Sequence, residues 1–365
     1  MKIGVPTEVK TEEYRVAVTP SGVRELVARG HEVCVQRGAG LGSGFEDGAY
    51  IAAGAALLDD AASVFDTAEL IVKVKEPIAQ EYPLFKEGQT LFTYLHLAAD
   101  EPLTKFLMEK KIKSFAYETL NIDGRLPLLE PMSEVAGKMA SLMGAFYLGR
   151  YQGGRGILAG GVVGTERANV MILGGGMAGL AAAQVAAGLG AKVTILDINL
   201  ARLHYLDDVL PPNVSTLYSS TDAIESLLPT TDVIIGTVLI PGAKAPKLIT
   251  KAMLPKMQEG SVVIDVSIDQ GGCFESSKAT THTSPTYVVD GVVHYCVANM
   301  PGAYPRTSTM ALTNATLPYL FKLAEFGGDE AYAKFPPLKG ALNTFDGKLT
   351  NLPVAEAHGL AYTEL

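Results

Sequence analysis

Short runs of β-branched and other apolar residues alternate along most of the chain with helical stretches, the rhythm of βα units that builds parallel sheets rather than a sandwich or a bundle. Two such series can be read. The first predicts a strand at 2–5, a helix over 20–29 closed by Gly30, and strands at 31–36, 70–75, 90–96 and 113–118. A long helix is predicted over 133–148, with Ser133 as its N-cap and Glu134 in its first turn. The second series predicts strands at 168–173, 192–197, 232–238, 261–268 and 292–297. A helix over 309–326 follows, and the tail from Pro336 reads as loops and short helices. Residues 170–191 carry no charge, but Gly174, Gly175, Gly176 and Gly179 divide the run into a strand and an Ala-rich helix, which argues against a membrane span.

The length of 365 residues suggests two domains, at roughly 150 residues each. A hydrophobic share of 48% with 38 glycines fits an α/β protein rich in close backbone approaches. The net charge of -9 lacks the positive field that a phosphate backbone requires, so nucleic acid is a poor candidate partner. Cys34, Cys273 and Cys296 are far apart and in no zinc-ligand spacing, as expected of a reducing, cytoplasmic setting without a bound metal. The charged start predicts no secretion signal.

The sharpest motif is a predicted strand at 170–173 running into Gly174-Gly175-Gly176-Met177-Ala178-Gly179 and then a helix. In such a G-x-G-x-x-G turn, the first glycine allows the tight turn and the second lets backbone approach a pyrophosphate. The third lets helix and strand pack closely. Asp197 ends the next strand about 20 residues on, placed to accept from a ribose 2′-hydroxyl and to repel a 2′-phosphate. NAD is therefore expected over NADP. A second glycine cluster, Gly38-Ala39-Gly40-Leu41-Gly42-Ser43-Gly44, has no following apolar helix or acidic strand end and reads as a loop.

Ligands of open α/β sheets bind beyond the carboxyl ends of strands. There the sequence offers Lys73 and Lys75, between which the pattern does not choose, and His96, predicted to share a strand face with Phe92 and Tyr94. Histidine titrates near neutrality and can act as base and then as acid. Asp265, Ser267 and Asp269 are predicted on one face, with Asp269 at a glycine turn, as a reactive or a turn-capping group. Arg15 offers a planar fork for a carboxylate. No hydrolytic triad stands out among the candidates.

Taken together, residues 2–20 (KIGVPTEVKTEEYRVAVTP), VKVKEP, FTYLHLA, EPMSEVAGKMA, GGGMAG with ILDIN, IDVSIDQGGCFESS and YCVANMPGAYPRTST make the chain resemble the NAD-dependent L-alanine dehydrogenases. That family is similar in turn to the nucleotide-binding part of proton-translocating transhydrogenases. The resemblance implies two Rossmann-like doubly wound parallel-sheet domains joined by long helices. A discontinuous catalytic domain would span 1–131 and 301–365, and an NAD-binding domain 132–300. It also implies reversible deamination of L-alanine to pyruvate and ammonium, in a homohexamer. Arg15 and Lys75 would hold the substrate carboxylate, Met132 would shape the pocket, His96 would be the general acid and base, and Asp269 would orient water or substrate. Ser133, Gly174, Gly176, Met177, Ala178, Gly179, Asp197, Arg202, Ser219, Leu239, Ile268, Asn299 and Met300 would contact NAD. Lys278 stands where relatives carry arginine, and Met177 where they carry a smaller residue. The alternatives are a transhydrogenase-like NAD-binding subunit and a dehydrogenase for a larger amino acid, of the lysine or saccharopine type.

Overall fold

The computed structural model describes residues 1–238 and 245–365. They form two compact units, Met1–Met132 with Tyr304–Leu365, and Ser133–Ala303. Met132 thus goes with the first unit and residues 301–303 with the second.

The first unit opens with six parallel strands, β1 (Lys2–Val5), β2 (Glu32–Gln36), β3 (Ala56–Leu58), β4 (Leu70–Val72), β5 (Thr90–Thr93) and β6 (Lys113–Ala116). Their spatial order is β3-β2-β1-β4-β5-β6, so the order reverses between β1 and β4, which pair through Ile3 and Leu70. Such a reversal opens a crevice at the carboxyl ends of the strands on either side of it. The segments that follow β1, β4 and β5 carry Arg15, Lys75 and His96.

The second unit holds β7 (Asn169–Leu173), β8 (Lys192–Asp197), β9 (Val214–Tyr218), β10 (Val233–Gly236), β11 (Val262–Asp265), β12 (Thr286–Val289) and β13 (Val292–Tyr295). The order β9-β8-β7-β10-β11-β13-β12 repeats the same reversal, here between β7 and β10. Ile172, Ile195, Ile235 and Ile264 pack on one face of this sheet, and Met171, Leu196, Ile234 and Val263 on the other. A sheet buried on both faces explains why its strands read as unbroken apolar runs. The chain re-enters the first unit with the helix Pro305–Phe326. It then adds β14 (Leu342–Phe345), antiparallel to β6, and β15 (Lys348–Leu349), antiparallel to β14.

Several expectations are corrected. The tail is not only loops and helices, and β12 pairs antiparallel with β13. Both unforeseen hairpins turn on Asp-Gly pairs in left-handed backbone, Asp290-Gly291 and Asp346-Gly347, a hairpin signal the sequence does carry. The long helix spans Glu130–Tyr147, so Ser133 lies inside it and does not cap it. Pro131 sits in its first turn, where the missing N–H costs nothing. β4 and β5 end at Val72 and Thr93, earlier than the predicted 75 and 96. Among the described residues no helix is long and apolar enough to cross a membrane, and no cluster of metal-ligating side chains occurs. The three cysteines are buried and free.

Candidate active site

Beyond β1 and β4 the first unit buries a group of charges. Lys73, fully buried, donates to Glu8 Oε2 at 3.0 Å and pairs with Glu81 Oε1 at 2.7 Å. Burial alone would lower its pKa, but the two carboxylates hold it above the ordinary lysine value. Burial pushes the Glu8 carboxyl up in turn, against the pull of Lys73. Glu8 also accepts from the backbone N–H of Val74 at 2.6 Å and of Lys75 at 3.4 Å, which fixes the chain leaving β4. Lys73 is consumed by structure, whereas Lys75 Nζ makes no hydrogen bond or ion pair among the described residues.

Arg15 is 2% exposed, and Glu13 takes one side of its fork, at 2.7 Å from Nε and 2.5 Å from Nη2. Burial opposes its charge, but Glu13 outweighs that and raises the arginine pKa further. Nη1 lies 3.1 Å from Met132 Sδ, so Met132 meets the arginine. His96 does not end a strand. It sits three residues past β5 in left-handed backbone, φ +52°. Glu118 clamps that turn, accepting from His96 N at 2.6 Å and from Leu95 N at 3.1 Å. The imidazole stacks on Tyr94, 5.9 Å between centroids, and Tyr94 Oη is anchored to Leu128 O. Burial would raise the Glu76 carboxyl, but the charges of His96, Lys75 and Lys10 outweigh it and hold Glu76 below the usual range. Arg15, Lys75, His96 and Met132 are therefore drawn together around the reversal of the sheet.

In the second unit the glycine turn is what its spacing predicts. Gly174 has φ +99°, and a Cβ on Gly179 would lie 1.9 Å from Gly174 O. A Cβ on Gly176 would meet nothing within 4 Å, so the loop presents bare backbone there. The helix Met177–Gly188 starts at Gly176 with no side-chain cap, leaving its first N–H groups for an anion. Asp197 Oδ2 accepts from Gly175 N at 2.7 Å and Oδ1 from Asn199 N at 2.8 Å. Arg202 donates to Gly175 O at 2.5 Å, and Ser219 N to Asp197 O at 3.0 Å. Gly174, Gly176, Met177, Ala178, Gly179, Asp197, Arg202 and Ser219 thus form one cluster, suited to a dinucleotide. Thr237, which sequence reasoning missed, ties the turn to β10 by donating to Gly174 O at 2.8 Å.

Ser133, Gly137 and Ser141 recur every four residues and share one helix face. Ser141 donates to Ala182 O at 2.7 Å, and a Cβ on Gly137 would lie 2.1 Å from Ala178 O. Ser133 is one turn further toward the helix N-terminus on that face. Asp265, Ser267 and Asp269 do not share a strand face, because the chain turns at Asp265 into the short helix Val266–Gln270. Asp265 caps that turn and is buried, accepting from Ser267 N and Cys273 N at 3.0 Å and from the Ser277 hydroxyl. Burial raises its pKa against those donors. Asp269 is exposed and Ile268 buried. Asn299 is left-handed, φ +61°, and Met300 packs into the core of the second unit. Met177 occupies the first position of its helix without disturbing it, and Lys278 is exposed. Leu239 lies outside the described residues.

Residues 4–136 match the family described as Alanine dehydrogenase/PNT, N-terminal domain, and residues 140–352 the one described as Alanine dehydrogenase/PNT, C-terminal domain. The chain is 58% identical over 365 residues to an alanine dehydrogenase of Halomonas elongata, covering 100% of this chain and 98% of that protein. A solved L-alanine dehydrogenase superposes with a TM-score of 0.94 at 47% identity, over 98% of this chain and 99% of the other. A transhydrogenase of Sinorhizobium meliloti superposes with a TM-score of 0.81 at 25% identity, over 96% of this chain and 99% of the other.

Proposed function

Because the chain belongs to the alanine dehydrogenase/PNT family, we propose that it catalyses the reversible oxidative deamination of L-alanine with NAD. It is an oxidoreductase of the alanine dehydrogenase kind, with a nicotinamide-type nucleotide as cofactor. The net reaction converts alanine, NAD and water to pyruvate, ammonium, NADH and a proton. NAD, when bound, accepts the hydride from the α-carbon.

The remaining work falls to side chains of this protein. Lys75 and Arg15 hold the substrate carboxylate, with Met132 walling the pocket beside Arg15 Nη1. His96 takes a proton from the amine as the imine forms, protonates the departing nitrogen after water has added, and runs the same transfers backward during amination. Asp269 orients that water or the substrate. The glycine turn and the start of the helix Met177–Gly188 hold the pyrophosphate, and Asp197 holds the ribose. Ser133, Arg202, Ser219, Ile268, Asn299 and Met300 complete the nucleotide contacts. We place the enzyme in the cytoplasm as a homo-oligomer, a hexamer by its family.

The observation that carries this reading is the contrast between two buried lysines, Lys73 neutralised by two carboxylates and Lys75 left with a cation to offer. NADH formation with L-alanine, set against D-alanine, L-lysine and no amino acid, tests it. Turnover with L-alanine alone supports the assignment. Nucleotide binding without amino-acid turnover moves it to a transhydrogenase-like subunit, and preference for lysine to a larger-substrate enzyme.

Cofactor choice gives a separate expectation. Asp197→Ser removes a charged acceptor worth about 1.5–3 kcal/mol, so the KM for NAD should rise roughly 10- to 100-fold. NADP should improve relative to NAD, since the repulsion of a 2′-phosphate is gone and the cation of Arg202 stays beside the loop. Steady-state kinetics with both nucleotides check this. An unchanged KM for NAD removes Asp197 from the ribose site.

A further inference from the structure

The glycine cluster at 38–44 lies against the backbone of the segment that carries Arg15. A Cβ on Gly42 would fall 2.7 Å from Tyr14 O, so this approach is open only to glycine, and one on Gly40 would fall 2.7 Å from Phe45 O, so the loop's own turn needs glycine too. At its end Ser43, 1% exposed, donates to Tyr14 O at 2.9 Å and lies 2.8 Å from the hydroxyl of Thr309, which is itself fully buried. Thr309 Oγ1 in turn accepts from Val16 N at 3.1 Å. Either hydroxyl of the pair can donate to the other, and Pro305 O lies 3.3 Å from Ser43 Oγ; with the Ser43 proton on the nearer Tyr14 O, the donors form one directed chain, Val16 N–H to Thr309, Thr309 to Ser43, and Ser43 to Tyr14 C=O. Hydrogen bonds aligned in this way reinforce one another. Arg306 pins the far side of the loop, donating to Ser43 O at 3.1 Å and Gly44 O at 2.8 Å.

The two ends of that chain are the carbonyl before Arg15 and the amide after it. These belong to the two peptide planes whose rotation is the φ and ψ of Arg15. Glu13 fixes the guanidinium, and the hydroxyl pair fixes the backbone from which it extends. We propose that Ser43 and Thr309 are positioning residues for Arg15, and that the glycine cluster exists to bring Ser43 to it. They set the affinity for the carboxylate of the amino or oxo acid without touching it. The inference rests on the reading of Arg15 as a carboxylate ligand.

The test compares Thr309→Val, Thr309→Ser, Ser43→Ala and Arg15→Lys in the full-length enzyme. Thr309→Val keeps the shape and loses the hydroxyl, so the KM for alanine and for pyruvate should rise about tenfold, one hydrogen bond's worth. The kcat and the KM for NAD should stay within about twofold of wild type. Thr309→Ser should restore the KM, and Ser43→Ala should repeat the effect of Thr309→Val. A raised KM in Arg15→Lys with unchanged values in Thr309→Val and Ser43→Ala overturns the positioning role alone. An unchanged KM in Arg15→Lys overturns the carboxylate role and this inference with it. If Thr309→Val does not fold, Ser43→Ala and Thr309→Ser decide. Parallel losses in kcat, in both KM values and in thermal stability reduce the pair to packing and also overturn the proposal.

Discussion

Replacing His96 by alanine is expected to lower turnover of L-alanine by about 10²- to 10⁴-fold, the usual worth of a positioned general acid and base. The binding of NAD should be unchanged. The left-handed backbone of His96 calls for a second variant, because alanine is strained at φ +52° whatever its chemistry. Asparagine tolerates that conformation and cannot exchange a proton, so His96→Asn should lose the same factor while leaving the thermal midpoint at the wild-type value. Stopped-flow measurement of NADH formation, with a nucleotide-binding titration beside it, separates the two effects. Near-normal turnover in both variants would remove His96 from the chemistry. Glu118 holds that turn through the backbone amides of Leu95 and His96.

Lys73→Met should cost roughly 3–5 kcal/mol of stability, as loss of one member of a buried ion pair generally does. The variant leaves Glu8 and Glu81 buried without their cation. Denaturant unfolding at neutral pH measures the loss. Its pH dependence has a defined sign. The raised pKa of Lys73 means its contribution is fully present below the ordinary lysine value and is lost as pH rises through the folded value. On the acid side the deficit should shrink, because an uncompensated buried carboxylate such as Glu8 takes up a proton and ceases to be a charge. Removing all three charges together should recover much of the stability. A deficit below about 1 kcal/mol would mean that water reaches the carboxylates.

Local mechanics made some of this legible in the sequence. The turn at Gly174–Gly179 and the strand Lys192–Asp197 are specified by neighbours, and each glycine is required by an approach within a few residues. The Asp-Gly hairpins are equally local, but the parallel pattern around them masks the signal. The charges are another matter. Lys73 and Lys75 are alike as sequence, and the carboxylate that separates them, Glu8, lies 65 residues from Lys73. Alternation also carried strands too far. It placed His96 on a strand face and Asp269 beside Asp265, whereas in both places the backbone leaves the strand to turn. Nothing local announces Ser43 and Thr309, which meet across 266 residues.

That last separation bears on how the protein comes into being. During synthesis residues 133–303 emerge before the helix Pro305–Phe326, β14 and β15, so the second unit can close on itself while the first is still without an edge. The hydroxyl of Thr309 arrives late, and until it does the amide of Val16 lacks its acceptor and Ser43 lacks its hydroxyl partner. A nascent chain halted after residue 303 should therefore bind nucleotide before it can bind an amino acid. In refolding, recovery of activity should trail recovery of nucleotide affinity, because the slowest contacts to form are those with the longest loop to close.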